Sequence, residues 1–510
     1  MISAIIVTAV FIGVILLIIT NKLNRAIATL AGAVITYFVL TFIEGADFLV
    51  FIDFLVGTQA DGYVNLRVIL LIVGMLFIVQ VCHSAGVFQF LAFKLIQTTK
   101  GKPMYLLFMF CALSVLVSAI LNNILAVIIL IPLTIVASRI LGIDPVPYII
   151  CEAIMVNVGG TIFSISSIPN ILIVTYAGIS FADFFINIGL FAFFIFAITF
   201  IFFMISYRKK LMIPKQRLTE VLQDFNVWNY VPSRGLFYRS IAVLVGVMVA
   251  FVIIPSTLLS PDMIALTGGI ALVILSKLNG REIIKKIDLE LLLYLLGVFV
   301  ITGAMELLNV VDLVGTGIIG ITGSNAFLTV IVILWVSAFL SSSIDNIPIT
   351  KVLIPVVDVV SMGFTPTNLN TTYYSLAFGA NLGDNLTPMG DNMLVMSISE
   401  QRERPITYSQ FFKLGFIATI LQLIAVTLYF IFLYDLVLGG LIILSIFVLT
   451  LIILLLRYLN KNYKEEEQLI KRLFNRLKNQ DFKRERRTTL KRFLGNINKF
   501  IKDRLGIGAD

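Results

Sequence analysis

The chain has 510 residues, of which 59% are hydrophobic and 13% charged. Soluble domains are nearer one quarter charged, so with a mean hydropathy of +1.02 no soluble fold could hide this much apolar surface. Residues 457–510 hold 16 Lys and Arg against 7 Asp and Glu, while the first 456 residues hold 22 of each, so the net charge of +9 belongs to the tail and is no sign of nucleic-acid binding. Cys82, Cys111 and Cys151 sit in apolar stretches at spacings that fit neither a zinc site nor a disulfide framework.

Uncharged runs at 2–21, 26–43, 241–261 and 436–456 are each long enough to cross about 30 Å of hydrocarbon as a helix, and about a dozen crossings are expected. The first run lacks a basic start and a small-residue cleavage pattern, so it reads as a span rather than a signal peptide. The connection 44–61 carries four acids and no base, which suits the outer side. Lys94, Lys100 and Lys102, the stretch 208–239, the loop 277–286 and the tail are basic and suit the cytoplasm. One alternating path satisfies all of them, with the N-terminus outside and the C-terminus cytoplasmic. The span at 68–83 then runs inward and its counterpart at 289–305 outward, so the two halves are inverted. The expected organisation is a first transmembrane repeat over 1–206, a cytoplasmic linker over 207–238, a second, inverted repeat over 239–435, an extra helix over 436–456 and a cytoplasmic tail over 457–510.

The halves also resemble each other. SAILNNILAVIILIP at 118–132 answers SSSIDNIPITKVLIP at 341–355, and VNVGGTIFSISSIPN at 156–170 answers ANLGDNLTPMGDNML at 380–394. The step from Asn123 to Asn157 is 34 residues and that from Asn346 to Asn381 is 35; apolar helices alone would not hold Asn, Gly and Pro to one offset. Gly159, Gly160, Gly383 and Gly390 permit backbone that a continuous helix forbids, and Pro169 and Pro388 remove donors, so these segments are expected to unwind. Freed backbone groups cost several kcal/mol each in hydrocarbon and survive only where they line a cavity or bind an ion. Inverted repeats with interrupted helices meeting near the midplane are the site of secondary transporters: half-helix ends offer N–H groups to an anion, and Asn side chains and carbonyls can hold Na⁺.

These motifs, with FFKLGF at 411–416, resemble the ion transporter superfamily in its arsenite permease and P-protein, citrate-transporter-like branch. NVGGTIFSISSIPN is similar to that branch's NIGGTATLIGDPPN, Glu152 falls where the family often has Glu, and Asn123 and Asn346 fall where related dicarboxylate/Na⁺ carriers have the Asn of their Ser-Asn-Thr hairpins. The resemblance covers residues 1 to 435. It implies an all-α polytopic membrane protein, an inverted-repeat secondary transporter with two re-entrant hairpins tipped at Asn122, Asn123 and at Asp345, Asn346, two broken helices unwound at 159–169 and 383–392, and elevator-type alternating access. The chain departs from the family pattern in Ser166 and Ser167, Asn122 and Leu394, and in Asp384 and Asp391, which stand where the pattern has small neutral residues.

Ionisable groups inside spans are functional by default. Asp345, Asp384 and Asp391 could form a carboxylate cluster for a cation or a proton, with Asp345, Asn346 and Asp384 as Na⁺ ligands; alternatively Asp384 or Asp391 only caps the half-helix that follows. Lys351 is expected to be buried beside these carboxylates, either as a substitute for Na⁺ or in a static salt bridge, and Glu152 could relay protons or pair with Lys351. Asn122, Asn123, Asn157, Gly159, Gly160, Ser164, Ser166, Ser167, Asn170, Asn346, Asn381, Gly383, Asn385 and Thr387 complete the candidate substrate and ion site, although helix packing also uses Ser and Thr. His83 has no assigned role.

The tail repeats Leu, Ile and Phe at three- and four-residue steps among Lys and Arg, which reads as a basic amphipathic helix for anionic lipid or for a protein partner. No catalytic residue and no cofactor is expected beyond Na⁺ or H⁺ as coupling ion, because no HExxH, GxSxG or GxxxxGK[ST] stretch is present. The expected partners are a small inorganic or organic ion, the bilayer and a second copy of the chain as a homodimer. The function expected is transport of a small anion coupled to Na⁺ or H⁺, with Na⁺/H⁺ antiport the alternative and an intramembrane enzyme the different-class rival. Cysteines introduced at Asp53 and Lys285 are expected to label from opposite sides of the membrane, Asp53 from outside; labelling of both from one side refutes the inverted arrangement.

Overall fold

The computed structural model describes all residues except 21, 100–101, 209–210, 212–225, 438, 442–494 and 497–510, and the side chain of Asp391 is also outside the description. Residues Met1–Tyr434 form one compact unit, and Asp435–Asp510 form a second. Most of the expected extra helix and amphipathic tail, and half of the linker, therefore lie outside the described residues.

Among the described residues there is no strand, and nine helices are long and apolar enough to cross a membrane. The first half comprises α1 (Ile2–Ile19), α2 (Arg25–Val39), α3 (Phe48–Val56), α4 (Val64–Ser84), α5 (Val87–Thr98), α6 (Pro103–Ile120), α7 (Asn123–Leu141), α8 (Val146–Gly159), α9 (Ile168–Ala177) and α10 (Phe181–Tyr207). The second comprises α11 (Arg234–Ile253), α12 (Pro261–Ser276), α13 (Leu289–Leu307), α14 (Val310–Thr322), α15 (Ala326–Ser343), α16 (Asn346–Val360), α17 (Pro366–Gly383), α18 (Asp391–Gln401) and α19 (Tyr408–Tyr434). Five further apolar helices among the described residues, the arms of the broken helices included, are shorter than a full span, and most of the span expected at 436–456 lies outside the described residues.

Two interlocked helix pairs tie the repeats together. The first half's α4 lies along the second half's α12, and α13 lies along α2. Both crossings depend on missing side chains: a Cβ on Gly74 would run into the backbone of Ala265 and Leu266, and one on Gly297 would come within 2.6 Å of Thr29. Small residues let helices approach closely where lipid supplies no hydrophobic drive between them. Each crossing carries an ion pair near the start of its helices, Arg67 with Asp262 at 3.2 Å and Arg25 with Glu290 at 3.1 Å, with the arginine on the first-half helix and the acid on the second-half helix in both.

Against this frame stand the hairpins α6–α7 and α15–α16 and the broken pairs α8/α9 and α17/α18. The breaks are shorter than expected. Helix α8 runs through Gly159, and Pro169 lies in the first turn of α9, where its missing N–H costs nothing because first-turn donors lack intrahelical partners anyway. Likewise Gly383 ends α17, residues 384–386 form a single 3₁₀ turn, and Asp391 already opens α18. Gly159 and Gly383 therefore serve close packing rather than unwinding: a Cβ on Gly159 would fall 2.5 Å from the Val115 carbonyl of α6, and one on Gly383 would meet Ala338 of α15. Gly390 does carry the conformation expected, with φ +58°.

Gly74→Val and Gly297→Val are each expected to destabilise the fold by about 1–3 kcal/mol, the cost of overpacking a fitted contact, read as a lower unfolding temperature in detergent. Gly246→Ala, in α11 with no neighbour within 4 Å, is the matched control; equal losses in all three variants would disconnect the crossings from stability.

Candidate functional site

The two broken helices meet. Asn123, the first residue of α7, donates through Nδ2 to Asn157 Oδ1 on α8 at 2.7 Å. Asn157 Nδ2 in turn donates across the repeat boundary to Asn385 Oδ1 at 2.8 Å and to Asp384 Oδ2 at 3.1 Å. Asn385 Nδ2 returns to the Ile154 carbonyl at 3.1 Å, and Asn392 Nδ2 holds the Asp384 carbonyl at 2.8 Å. A second crossing joins Asn381 Nδ2 to Asn170 Oδ1 at 2.7 Å, while Asn170 Nδ2 holds the freed carbonyls of Gly160 and Phe163. All these amides are buried. Unwound backbone is thus satisfied by Asn side chains, which carry a donor and an acceptor each.

Each hairpin is pinned to its own broken helix in the same way. Ser118 Oγ donates to the Val156 carbonyl, and Ser341 Oγ donates to the Ala380 carbonyl, both at 2.6 Å. Ser118 also donates to Asn123 Oδ1 at 3.0 Å, and Gly160 leaves room for that amide, since a Cβ there would lie 2.7 Å from Asn123 Oδ1. Ser166 ties the first break to α6 through the Ala119 carbonyl at 2.7 Å, and Thr387 ties the second break to the Ser342 carbonyl. Ser118, Ser341 and Asn392 were not singled out from sequence, yet the two serines stand at equal offset from Asn123 and Asn346 in the matched motifs, which is the signal that could have found them.

The symmetry then breaks. Asn346, counterpart of Asn123, is buried but makes no side-chain hydrogen bond among the described residues, and Asn381 Oδ1 is buried without a partner. Asn346 instead lines a cavity of about 10 Å³ with Asn122, Asn123, Ser167, Ile168 and Pro169. The N-termini of α7, α9 and α16 all begin there, with Asn122, Ser167 and Asp345 as their N-caps.

Of the expected acids, Asp345 and Asp384 take different partners, and the Asp391 side chain lies outside the described residues. Among the described residues no three His, Cys, Asp or Glu side chains form a metal-holding group. Asp384 turns into the buried amide set, whereas Asp345 accepts from the Ile347 N–H at 3.0 Å and lines a much larger cavity of about 900 Å³. That vestibule lies between the second hairpin tip and the α1–α2 connection, and is also lined by Lys22, Arg25, Glu290, Gly390 and Glu400. The N-cap geometry explains the divergence: an Asp side chain that reaches back to its own helix start cannot also reach across to the break. Ser164 likewise sits away from the amides, lining a cavity of about 200 Å³ beside Arg67 and Asp262.

Lys351 is buried, but it pairs with neither Glu152 nor an aspartate. Its Nζ donates to Asn65 Oδ1 of α4 at 2.9 Å and lies 5.3 Å from the ring centre of Phe299 and 5.8 Å from that of Tyr176. The reason is topological: Lys351 points from α16 toward the frame, whereas Glu152 is enclosed between α8 and α7, accepting from Thr134 Oγ1 at 2.7 Å. Nothing in the sequence around Asn65 marks it as the partner of a residue 286 positions away.

A sequence model of the citrate transporter family matches residues 15–368 and 248–482. The chain is 28% identical over 429 residues to the 46 kDa membrane protein of Mycobacterium leprae, covering 84% of this chain and 98% of that one. It is 26% identical to the P protein of Mus musculus, covering 80% of this chain and 58% of that longer protein. Its fold is similar to the crystal structure of the Alcanivorax borkumensis YdaH transporter, described as having an unusual topology, with a TM-score of 0.50 and 15% identity over 71% of this chain and 84% of that one.

Asn157→Ala leaves Asn123 Nδ2 without its acceptor and leaves Asn385 Oδ1 and Asp384 Oδ2 with the longer bonds from Asn392 Nδ2, at 3.5 and 3.4 Å, so it is expected to cost about 1–3 kcal/mol. Ser164→Ala, at a hydroxyl that takes no part in the amide set and lines the separate cavity beside Arg67 and Asp262, is expected to cost less. Thermal unfolding in detergent compares them, and similar values would remove the amide set from the stability of the break.

Proposed function

The chain belongs to the citrate transporter family, and we propose that it is a secondary active transporter that moves a small anion, a carboxylate or an arsenite-like oxyanion, in company with Na⁺ or H⁺. One observation carries this reading: the N-termini of α7, α9 and α16 converge on a single cavity lined by Asn122, Asn123, Ser167 and Asn346. Each helix start carries about half a positive charge and unpaired N–H groups, and three together make a strong anion site without any buried Lys or Arg.

The volume of about 10 Å³ admits one water or one oxygen of an anion. The vestibule of about 900 Å³ against the second hairpin tip is of the size that holds a whole small ligand. In this reading the anion enters by the vestibule, its oxygens reach the helix starts when the tips part, and the hairpins with the broken helices move against the frame of α2, α4, α12 and α13. Asp384 and the neighbouring amide oxygens supply the cation side of the site.

An uptake screen in proteoliposomes across citrate, succinate, arsenite and ²²Na⁺, with pH and Na⁺ gradients imposed separately, tests the reading. Uptake of ²²Na⁺ against a pH gradient with none of the anions would replace it by Na⁺/H⁺ antiport. Asn123→Ala and Asn346→Ala are each expected to abolish anion uptake in a folded, membrane-inserted protein. Retained uptake with only a lowered unfolding temperature would assign both residues to structure.

A further inference from the structure

Glu152 is 1% exposed. Its Oε1 accepts from Thr134 Oγ1 at 2.7 Å, and its Oε2 is buried with no partner. Helices α7 and α8 are consecutive and antiparallel, so the Thr134 to Glu152 bond fixes their register. One turn toward the connection between them, Ser138 on α7 comes level with Tyr148 on α8, and the Ser138 and Tyr148 hydroxyls are also buried without partners. At the end of this seam is Asp144, exposed in the connection and within electrostatic reach of the Tyr148 hydroxyl. At the other end Asn157 follows Glu152 by five residues on the same helix, a rise of about 7.5 Å.

Three unsatisfied polar atoms along one seam are costly in an apolar bundle unless water reaches them. A carboxyl that only tied α7 to α8 would be served by the single Thr134 bond and would gain nothing from a second, empty oxygen. The titratable groups near Glu152 on the packed elements are Cys111 of α6, Tyr148 and Cys151 of α8 itself, Tyr207 at the end of α10 and Asp384 at the second break; Arg139 stands in the last, outer turn of α7. Among the described residues no Lys, Arg or His makes an ion pair with Glu152. An ionised carboxylate there would be uncompensated, at several kcal/mol, whereas a carboxyl carrying a proton would not.

We propose that Glu152 binds the coupling proton and that the α7–α8 seam, through Tyr148 and Ser138, is its route to the face that bears Asp144. This deepens the transporter reading and rests on it. The proton arrives from solvent, forms one O–H bond on the unpartnered oxygen, crosses as part of a neutral carboxyl and leaves to solvent when the carrier opens to the other side, moving one positive charge per cycle.

Two measurements test it, one of which needs no substrate. In infrared difference spectra of the protein in liposomes, taken between mildly acidic and mildly alkaline buffer, the carboxylic-acid C=O band is expected in the wild type and lost in Glu152→Gln. The second reads citrate or succinate, as found in the screen above, in proteoliposomes loaded with a pH-sensitive dye. The ratio of pH-driven uptake to counterflow is expected to collapse in Glu152→Gln, and Tyr148→Phe and Ser138→Ala are expected to slow the substrate-dependent dye signal. An infrared band unchanged by Glu152→Gln overturns the proposal whether or not either anion is transported. So does wild-type pH-driven uptake in that variant. Should Glu152→Gln not fold, undiminished dye signals in both Tyr148→Phe and Ser138→Ala overturn it. Absence of counterflow for both anions in the wild type counts against the substrate reading alone, because the infrared result still decides the role of Glu152.

Discussion

Breaking a helix inside an apolar bundle exposes N–H and C=O groups that lipid cannot satisfy, and everything near the centre of this protein follows from how that cost is met. The first break hands its carbonyls at Gly160 and Phe163 to Asn170, which is held by Asn381 of the second repeat. The second break is held in return by Asn157 of the first. Each half satisfies its own freed backbone, through Asn170 in the first and Asn392 in the second, and bonds between side chains then join the two breaks across the repeat boundary. Net gains of about 1 kcal/mol per bond matter less here than the penalty for any one left unmade.

The pseudo-symmetry is close where it is structural and fails where chemistry is expected. Ser118 and Ser341 make the same bond to the residue before the central Asn, and Gly159 and Gly383 admit the same approach of a hairpin. Asn123 is consumed by Asn157, whereas Asn346 faces a cavity and Asn381 Oδ1 is left over. A duplicated scaffold in which one copy is satisfied internally and the other holds unspent groups lets the two halves do different work within one frame.

The link between hairpin and frame is of a particular strength. Lys351 reaches Asn65, a neutral amide, rather than a carboxylate. A hydrogen bond from a charged donor is worth about 1.5–3 kcal/mol, whereas separating a buried ion pair costs about 3–5 kcal/mol. The arrangement keeps the charge oriented between two aromatic rings. The two ion pairs, Arg67 with Asp262 and Arg25 with Glu290, instead join helices of the frame to each other.

The sequence by itself determined the membrane class, the two inverted halves, the hairpin tips at Asn122, Asn123 and Asp345, Asn346, and the approximate place of both breaks. Each of these is written locally, in uncharged length, in charge flanks or in polar motifs at a repeated offset. It also singled out Asn157, Asn170, Asn381 and Asn385, and the structure places all four in the buried amide set. Only the tertiary structure decided which groups face each other. Asp345 and Asp384 are 39 positions apart in a motif-rich stretch, yet one caps its own helix and lines the vestibule while the other is enclosed among amides. Lys351 is tied to Asn65 on a helix of the other repeat, and Gly159 and Gly383 pack hairpins instead of unwinding helices. Pairing across the repeats is set by how four helix segments cross, and no local spacing encodes that crossing.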